Sequence, residues 1–225
     1  MTAFRIVFLD RETIGPGVAL RAPAFDHEWI EHGLTAPDQV ARRIADCDIV
    51  VTNKVRIDAS ALEHAPKVKM IAVAATGTDV IDIAACRKRG IVVSNIRGYA
   101  VATVPEHTFA LILSLARNLP EYRTDVENGR WQESGQFCFF NKPVRDLGGS
   151  TLGLVGCGSI GASVGRIGLA FGMRILFLDD YVDGPPQELE RVGSLDDLLR
   201  ESDFVSCHCP LSPETRSMFG QAQFE

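Results

Sequence analysis

No apolar run in this chain approaches the roughly 20 residues that a membrane-spanning helix needs, and the start Met1-Thr2-Ala3-Phe4-Arg5 has none of the layout of a secretory signal. The expectation is a cytoplasmic protein. Positive charge is also short: 23 Lys and Arg stand against 29 Asp and Glu, for a net charge of −6. That balance gives no footing for nucleic acid or for an anionic membrane surface. A disulfide framework is missing as well, because the six cysteines, Cys47, Cys86, Cys138, Cys157, Cys207 and Cys209, are scattered without regular spacing. Cys207 and Cys209 bracket His208, yet no second ligand pair stands at zinc spacing. No metal is therefore expected, and small buried side chains are the better account of the thiols. Compositional bias is absent too. The 46% hydrophobic and 23% charged content sits near the globular average, which excludes disorder and fibrous repeats.

Residues 151–179 carry the strongest positive signal. Thr151-Leu152-Gly153-Leu154-Val155 is a short apolar run, and Gly156-Cys157-Gly158-Ser159-Ile160-Gly161 is a Gly-x-Gly-x-x-Gly turn. A helix-like run follows to Phe171, and a second apolar run from Met173 to Leu178 ends on Asp179. Strand, turn, helix and strand closed by an acid describe a dinucleotide site. In such a site Gly156 permits the tight exit from the strand, Gly158 removes the Cβ that would block a pyrophosphate, and Gly161 lets the helix pack on the sheet. The helix aims its unpaired N–H groups and the positive end of its dipole at the phosphates. Asp179 is placed to accept both hydroxyls of the adenosine ribose. Its charge would repel a 2′-phosphate and no arginine adjoins it in the sequence, so the expected cofactor is NAD rather than NADP.

Upstream of that motif, strand and helix alternate. Residues 4–9, 48–52, 70–74 and 91–93 read as strands, and Ile49-Val50-Val51 is continuously apolar, as in a parallel strand covered on both faces. Thr35-Ala36-Pro37-Asp38 has the form of a capping box opening a helix to about Ala45. Asp58 and Asp79 read as the starts of two more helices, the second running through Arg87-Lys88-Arg89 to Gly90. Residues 1–98 thus read as a small α/β domain with a parallel sheet. Ligands of such sheets gather at the carboxyl ends of strands. Two loops fall there: residues 52–56, with Lys54, and residues 75–79, where the N–H groups around Gly77 could hold a carboxylate at a helix N-terminus. On the residues alone both loops read equally as ordinary turns.

Residues 99–225 read as the second domain. Thr103-Val104-Pro105-Glu106 has the form of a capping box, and the helix it opens is apolar on nearly all sides, so burial from every direction is expected. Glu106 and His107 are adjacent, and adjacent residues on a helix point about 100° apart, so they are not read as an acid-base couple. Residues 120–150 hold Trp131, Phe137, Phe139 and Phe140 without clean periodicity and read as a long connection that presents a partner surface or folds on its own domain. Further on, Ser194 opens a helix and residues 203–207 read as the third strand of the nucleotide half. His208-Cys209-Pro210-Leu211 leaves that strand beside the nucleotide, and residues 215–224 read as one more helix.

Taken together, from about Val50 onward, these segments resemble the D-isomer-specific 2-hydroxyacid dehydrogenases. The likeness is carried by Ala75-Thr76-Gly77-Thr78-Asp79-Val80-Ile81-Asp82, by Val104-Pro105-Glu106-His107-Thr108, by Gly156 to Gly161, by Gly172-Met173 with Asp179, and by His208-Cys209-Pro210-Leu211-Ser212-Pro213-Glu214-Thr215. The glycerate dehydrogenase, or hydroxypyruvate reductase, branch is the nearest in flavour. The resemblance implies two Rossmann-like or flavodoxin-like parallel-sheet α/β domains, substrate-binding at 1–98 and NAD-binding at 99–225, with the active site in the cleft between them. It implies that the amides of Thr76 and Gly77 hold the substrate carboxylate, with the Lys54 loop lining the same site. On the cofactor, it implies Gly156, Gly158, Ser159, Ile160 and Gly161 at the pyrophosphate and Asp179 at the ribose. His208, Cys209, Pro210 and Thr215 fall on the adenosine side, and Val104 near the nicotinamide. The implied reaction is hydride transfer between NAD(H) and a small D-2-hydroxy acid or 2-keto acid, of the glycerate, hydroxypyruvate or glyoxylate kind. Family members are usually dimers, which fits an arm at about 120–150.

The likeness then breaks off. The family catalyses with an Arg, a Glu or Asp, and a His on segments beyond the third nucleotide-domain strand, and nothing before Glu225 matches them; His208 belongs to the adenosine-side motif. The resemblance therefore places the catalytic residues beyond Glu225. Three of six nucleotide-domain strands are counted, so roughly 80 to 100 residues are expected to be missing at about 30 per strand-helix unit. An open sheet edge is expected at the first nucleotide strand, and no hydride transfer is expected of the 225-residue chain alone. An NAD(H)-sensing binding module of the corepressor type is the alternative. It would need a peptide cleft, for which the sequence shows no feature. A methyltransferase using the same turn is disfavoured because an entire α/β domain precedes it.

Overall fold

β-Branched and apolar runs form parallel strands in both halves of the chain. A computed structural model gives the fold and describes residues 3–224. The chain divides into two compact units, Met1–Gly98 and Tyr99–Glu225.

The first unit runs β1 (Phe4–Phe8), β2 (His27–Glu31), α1 (Val40–Ile44), β3 (Ile49–Thr52), α2 (Ala59–Glu63), β4 (Met70–Val73), α3 (Ile83–Lys88) and β5 (Val92–Asn95). Its sheet has the order β2-β1-β3-β4-β5 and every pairing is parallel. Val7, Val50 and Ile71 project from its three central strands into a core completed by Ile44 of α1 and Leu62 of α2. The edge strand β2 is absent from the sequence reading. Its residues, His-Glu-Trp-Ile-Glu, lack a buried run and are all partly or fully exposed, so the ladder to β1 makes it a strand and its own pattern does not.

Two helix starts move relative to the sequence reading. Asp58 caps α2 as expected, its Oδ1 accepting the N–H of Ala61 at 2.9 Å. The third helix opens at Asp82 and not Asp79: Ile81 N–H closes a turn on Thr78 O at 2.9 Å, and Asp82 Oδ1 then accepts from Ala85 N–H at 2.8 Å. At 35–38, Thr35 turns its hydroxyl to Leu9 O, and Gln39 Oε1 accepts the Ala36 N–H at 3.3 Å in its place, over a short 3-10 turn, Pro37–Gln39, that leads into α1.

The second unit runs α4 (Ala100–Ala116), α5 (Leu119–Glu127), α6 (Arg130–Ser134), β6 (Thr151–Val155), α7 (Ser159–Ala170), β7 (Arg174–Leu178), β8 (Glu190–Arg191), α8 (Leu195–Glu201) and β9 (Phe204–Cys207). Its sheet has the order β8-β7-β6-β9, again all parallel. Two expectations are corrected here. The sheet has four strands and not three, because the two-residue β8 extends it beyond β7. The expected third strand, β9, is the fourth and pairs with the opposite side of β6. The first strand β6 is therefore central, and the two edges of the sheet among the described residues are β8 and β9. The chain steps outward from β6 through β7 to β8, and α8 then carries it back across, so the strand order reverses between β6 and β9.

Helix α4 starts at Ala100, ahead of the expected box, and Pro105 falls inside it. Only one face is buried, through Phe109, Ile112 and Ala116, while Leu111 and Leu115 are 54% and 70% exposed within this chain, against the expectation of burial all round. Residues 120–150 fold in part as α5 and α6. Beyond them Phe137 and Phe140 are 87% and 90% exposed, while Phe139 tilts against Tyr122 at 5.5 Å. Residues 215–224 form no α-helix: Ser217 takes a left-handed φ of 58°, and only the 3-10 turn Gln221–Gln223 follows. Among the described residues no helix is long and apolar enough to cross a membrane.

Candidate functional site

At the carboxyl end of β6 the chain must turn sharply into α7. Gly156 does so at a φ of 96°, where a side chain is strained, and a Cβ there would lie 2.5 Å from the backbone N of Cys209. The segment leaving β9 thus lies directly on the turn. Gly161 is equally constrained, since a Cβ would overlap the carbonyl oxygen of Gly156. Gly158 is different: it is exposed, and nothing stands within 4 Å of the position its Cβ would take.

Gly158 is also the N-cap of α7, and no side chain caps that helix. Among the described residues no protein acceptor takes the N–H of Gly158, Ser159 or Ile160. Three unpaired donors, the positive end of a helix dipole and open space over a glycine together form an anion cradle that fits a dinucleotide pyrophosphate.

Asp179, half-buried at the end of β7, adjoins this cradle. Its Oδ2 accepts the N–H of Cys157 at 2.7 Å, and its Oδ1 accepts those of Tyr181 and Val182 at 2.9 and 3.1 Å. An ionised carboxylate offers about four acceptor sites. With three N–H donors already on it, one acceptor site of the carboxylate stays open as the side chain stands. Burial, with Asp179 adding to it, pushes the Cys157 thiol above its ordinary pKa. No arginine adjoins Asp179 in the sequence, and the fold brings Arg191 of β8 to the turn that follows it, where Nη2 donates to Val182 O at 2.8 Å and the guanidinium lies 5.3 Å from the Phe177 ring centroid.

The third wall is the exit from β9. His208 N–H donates to Val155 O at 2.7 Å, fastening β9 to the end of β6, and His208 Nε2 lies 2.9 Å from Ser206 Oγ. Burial lowers the His208 pKa, so the ring is neutral at pH 7. Thr215 Oγ1 donates to Pro210 O at 2.6 Å and accepts from Ser212 N–H at 2.8 Å, so that hydroxyl closes the 210–215 loop. The fold thus gathers Gly156, Gly158, Ser159, Ile160, Gly161, Asp179, His208 and Cys209 around the carboxyl ends of β6, β7 and β9, with Pro210 and Thr215 in the adjoining loop. Val104 stands exposed on α4, a helix that packs on α7.

In the first unit, Thr52 of β3 pairs with Val73 of β4, and their exit loops leave at the same carboxyl edge. Among the described residues no protein acceptor takes the N–H of Thr76, Gly77 or Thr78. Asn95 Nδ2 donates to Thr76 O at 2.7 Å, and Thr76 Oγ1 donates to Ile96 O at 2.9 Å, which ties the loop to the end of β5. Because α3 opens only after Asp82, these donors are loop amides without a helix dipole behind them, which corrects the sequence reading.

Lys54 is exposed, and its loop is held by a residue that the sequence reading missed. Asp10, 1% exposed, accepts the N–H groups of Asn53, Lys54 and Val55 at 2.9, 2.6 and 3.3 Å. A pocket of about 310 Å³ opens beside it, lined by Thr13, Thr35, Lys54 and Arg56 among others. The available signal was an acid directly after an apolar run, the same form that drew attention to Asp179. No cluster of His, Cys, Asp or Glu able to hold a metal exists among the described residues.

Residues 109–225 match the family described as "D-isomer specific 2-hydroxyacid dehydrogenase, NAD binding domain". A glycerate dehydrogenase of Methylorubrum extorquens is 41% identical over 98% of this chain and 68% of its own length. A hydroxypyruvate reductase of Blautia hydrogenotrophica is 35% identical over 95% of this chain and 68% of its own. Among solved structures, the D-lactate dehydrogenase of Aquifex aeolicus, complexed with NAD and lactic acid, superposes with a TM-score of 0.76 at 28% identity, over 97% of this chain and 64% of that one. The chain spans about two thirds of the length of these relatives.

Proposed function

Because this chain belongs to the D-isomer-specific 2-hydroxyacid dehydrogenases, we propose that it is an NAD-dependent oxidoreductase acting between a small D-2-hydroxy acid and its 2-keto acid, with glycerate and hydroxypyruvate, or glyoxylate, as the substrate class. The observation that carries this reading is the row of unpaired N–H groups at Gly158, Ser159 and Ile160 beside the carboxylate of Asp179. The amides of Gly158 to Ile160 hold the pyrophosphate, with Gly156 and Gly161 shaping the turn. Asp179 holds the adenosine ribose, while His208, Cys209, Pro210 and Thr215 line the adenosine side and Val104 stands toward the nicotinamide. When bound, the nicotinamide supplies or takes up the hydride.

The amides of Thr76 and Gly77 hold the carboxylate of the substrate, and Lys54 adds positive charge at the same strand ends. The Arg, carboxylate and His that the family uses have no counterpart assigned within residues 1–225. The reading for this chain by itself is therefore binding without turnover. The relatives named above are enzymes, which supports catalysis over a purely cofactor-sensing role. Exposed Leu111, Leu115, Trp131, Phe137 and Phe140 support a homodimer formed through the second unit. Six unpaired cysteines support a reducing, cytoplasmic setting.

The test is calorimetric titration of the chain with NADH, together with an NADH-oxidation assay of the naturally occurring protein on hydroxypyruvate and glyoxylate. Saturable binding that Asp179→Ala weakens, with turnover on either keto acid, is the expected outcome. Absence of NADH binding removes the reading.

A further inference from the structure

Asp179 begins the turn that follows β7, and the fold places a cation at the far end of the same turn. Residues 179–182 form one closed unit: the Asp179 carboxylate takes the N–H groups of Tyr181 and Val182, and the carbonyl of Val182 takes Nη2 of Arg191 at 2.8 Å. Arg191 reaches this turn from β8, the strand beside β7, with its guanidinium 5.3 Å from the Phe177 ring centroid. A guanidinium carries five N–H donors in a planar fork suited to phosphate oxygens. The single bond to Val182 O leaves most of that fork uncommitted on an exposed residue. In the sheet Arg191 pairs with Phe177, two residues before Asp179, which puts it beside the carboxyl end of β7 from which the 179–182 turn leaves.

We propose that Arg191 is a latent 2′-phosphate-binding residue, and that the preference for NAD over NADP is held by the Asp179 carboxylate alone. This inference rests on the dinucleotide reading of the glycine turn. With Asp179 present, a 2′-phosphate meets a carboxylate held in place by three N–H partners. With that charge removed, the same phosphate faces the free edge of the Arg191 fork, and the ribose pocket inverts its preference without any new cation.

The test titrates NADH and NADPH into wild type, Asp179→Ser, Arg191→Gln, and the double variants Asp179→Ser/Arg191→Gln and Asp179→Ser/Arg191→Lys, with thermal melts to confirm folding. Glutamine keeps most of the stem that covers Phe177, so the fold is retained. Wild type is expected to prefer NADH, and Asp179→Ser to bind NADPH at least as tightly as NADH. Adding Arg191→Gln is expected to weaken NADPH roughly tenfold, the scale of one charge-assisted hydrogen bond, and to leave NADH unchanged. Adding Arg191→Lys should retain part of the NADPH binding. Asp179→Ser variants that bind NADPH equally well with Arg191 or Gln overturn the assignment while leaving the NAD site intact. Failure of wild type to bind NADH overturns the site reading and the Arg191 assignment with it.

Discussion

The carboxylate of Asp10 accepts the backbone N–H of Lys54 at 2.6 Å, across from the end of β1 to the loop after β3. Asp179 repeats the device in the second unit, reaching from the end of β7 to the N–H of Cys157 after β6 at 2.7 Å. In each unit an acid that ends one parallel strand fixes the exit loop of the neighbouring strand. Those exits are where ligands of parallel sheets bind.

Asp10→Asn replaces an acceptor-only group with one that also presents N–H donors to the three amides it now satisfies. The first unit is expected to lose about 1.5 to 3 kcal/mol, the range for hydrogen bonds to a charged group. Urea denaturation measures this directly. NADH affinity, which depends on the second unit, should not move. An unchanged denaturation midpoint would show that the carboxylate does not hold the Lys54 loop.

The glycines of the turn separate folding from binding. Gly158→Ala meets no protein atom within 4 Å, so its melting temperature should match wild type while NADH affinity falls, because the new methyl group occupies the space over the cradle. Gly156→Ala meets the backbone of Cys209 and must also hold a φ of 96°, so it should lower the melting temperature itself. Equal melting losses in the two variants would contradict this division.

Protonation of His208 should destabilise the second unit. Its pKa is lowered by burial, so between the folded value and the unfolded value of 6.5 the unfolded chain binds more protons than the folded one. The stability carried by the neutral ring is present above pH 6.5 and is lost as pH falls through the folded value. His32 in the first unit is shifted the same way, first by burial and then by Arg43 and Arg42, so the informative quantity is a difference. Between about pH 7.5 and about pH 5.5, His208→Gln should lose less stability than wild type in matched urea titrations. Parallel pH profiles would remove His208 as a contributor.

The 225-residue polypeptide is expected to bind NADH without oxidising it. Nicotinamide fluorescence reports the binding, and absorbance with hydroxypyruvate or glyoxylate reports the turnover. Substantial turnover by this polypeptide would mean that a proton donor lies within residues 1–225 and that the assignment of none among them is wrong.

Much of the local structure around both candidate sites could be read from the chain because the signals are local. A glycine turn between two apolar runs specifies strand, turn and helix through φ and Cβ sterics, and Asp58 and Ser194 cap their helices through side chains that reach only three residues ahead. Asp79 and Thr35 have the same local form and do not cap, because a turn at Thr78 to Ile81 and the carbonyl of Leu9 compete for those positions. The strand β2 carries no apolar pattern of its own and owes its conformation to pairing with β1.

By itself the sequence determined the parallel α/β architecture, the glycine turn and the acid that closes it, since each depends on residues within one or two turns of chain. Strand order was a different matter. The sequence cannot say on which side of β6 a later strand pairs, because that is decided by where α8 packs and by hydrogen bonds between segments far apart in the chain. The same long-range pairing put β9 at one edge of its sheet, made Asp10 the clasp of the Lys54 loop, and brought Arg191 to the turn that Asp179 begins.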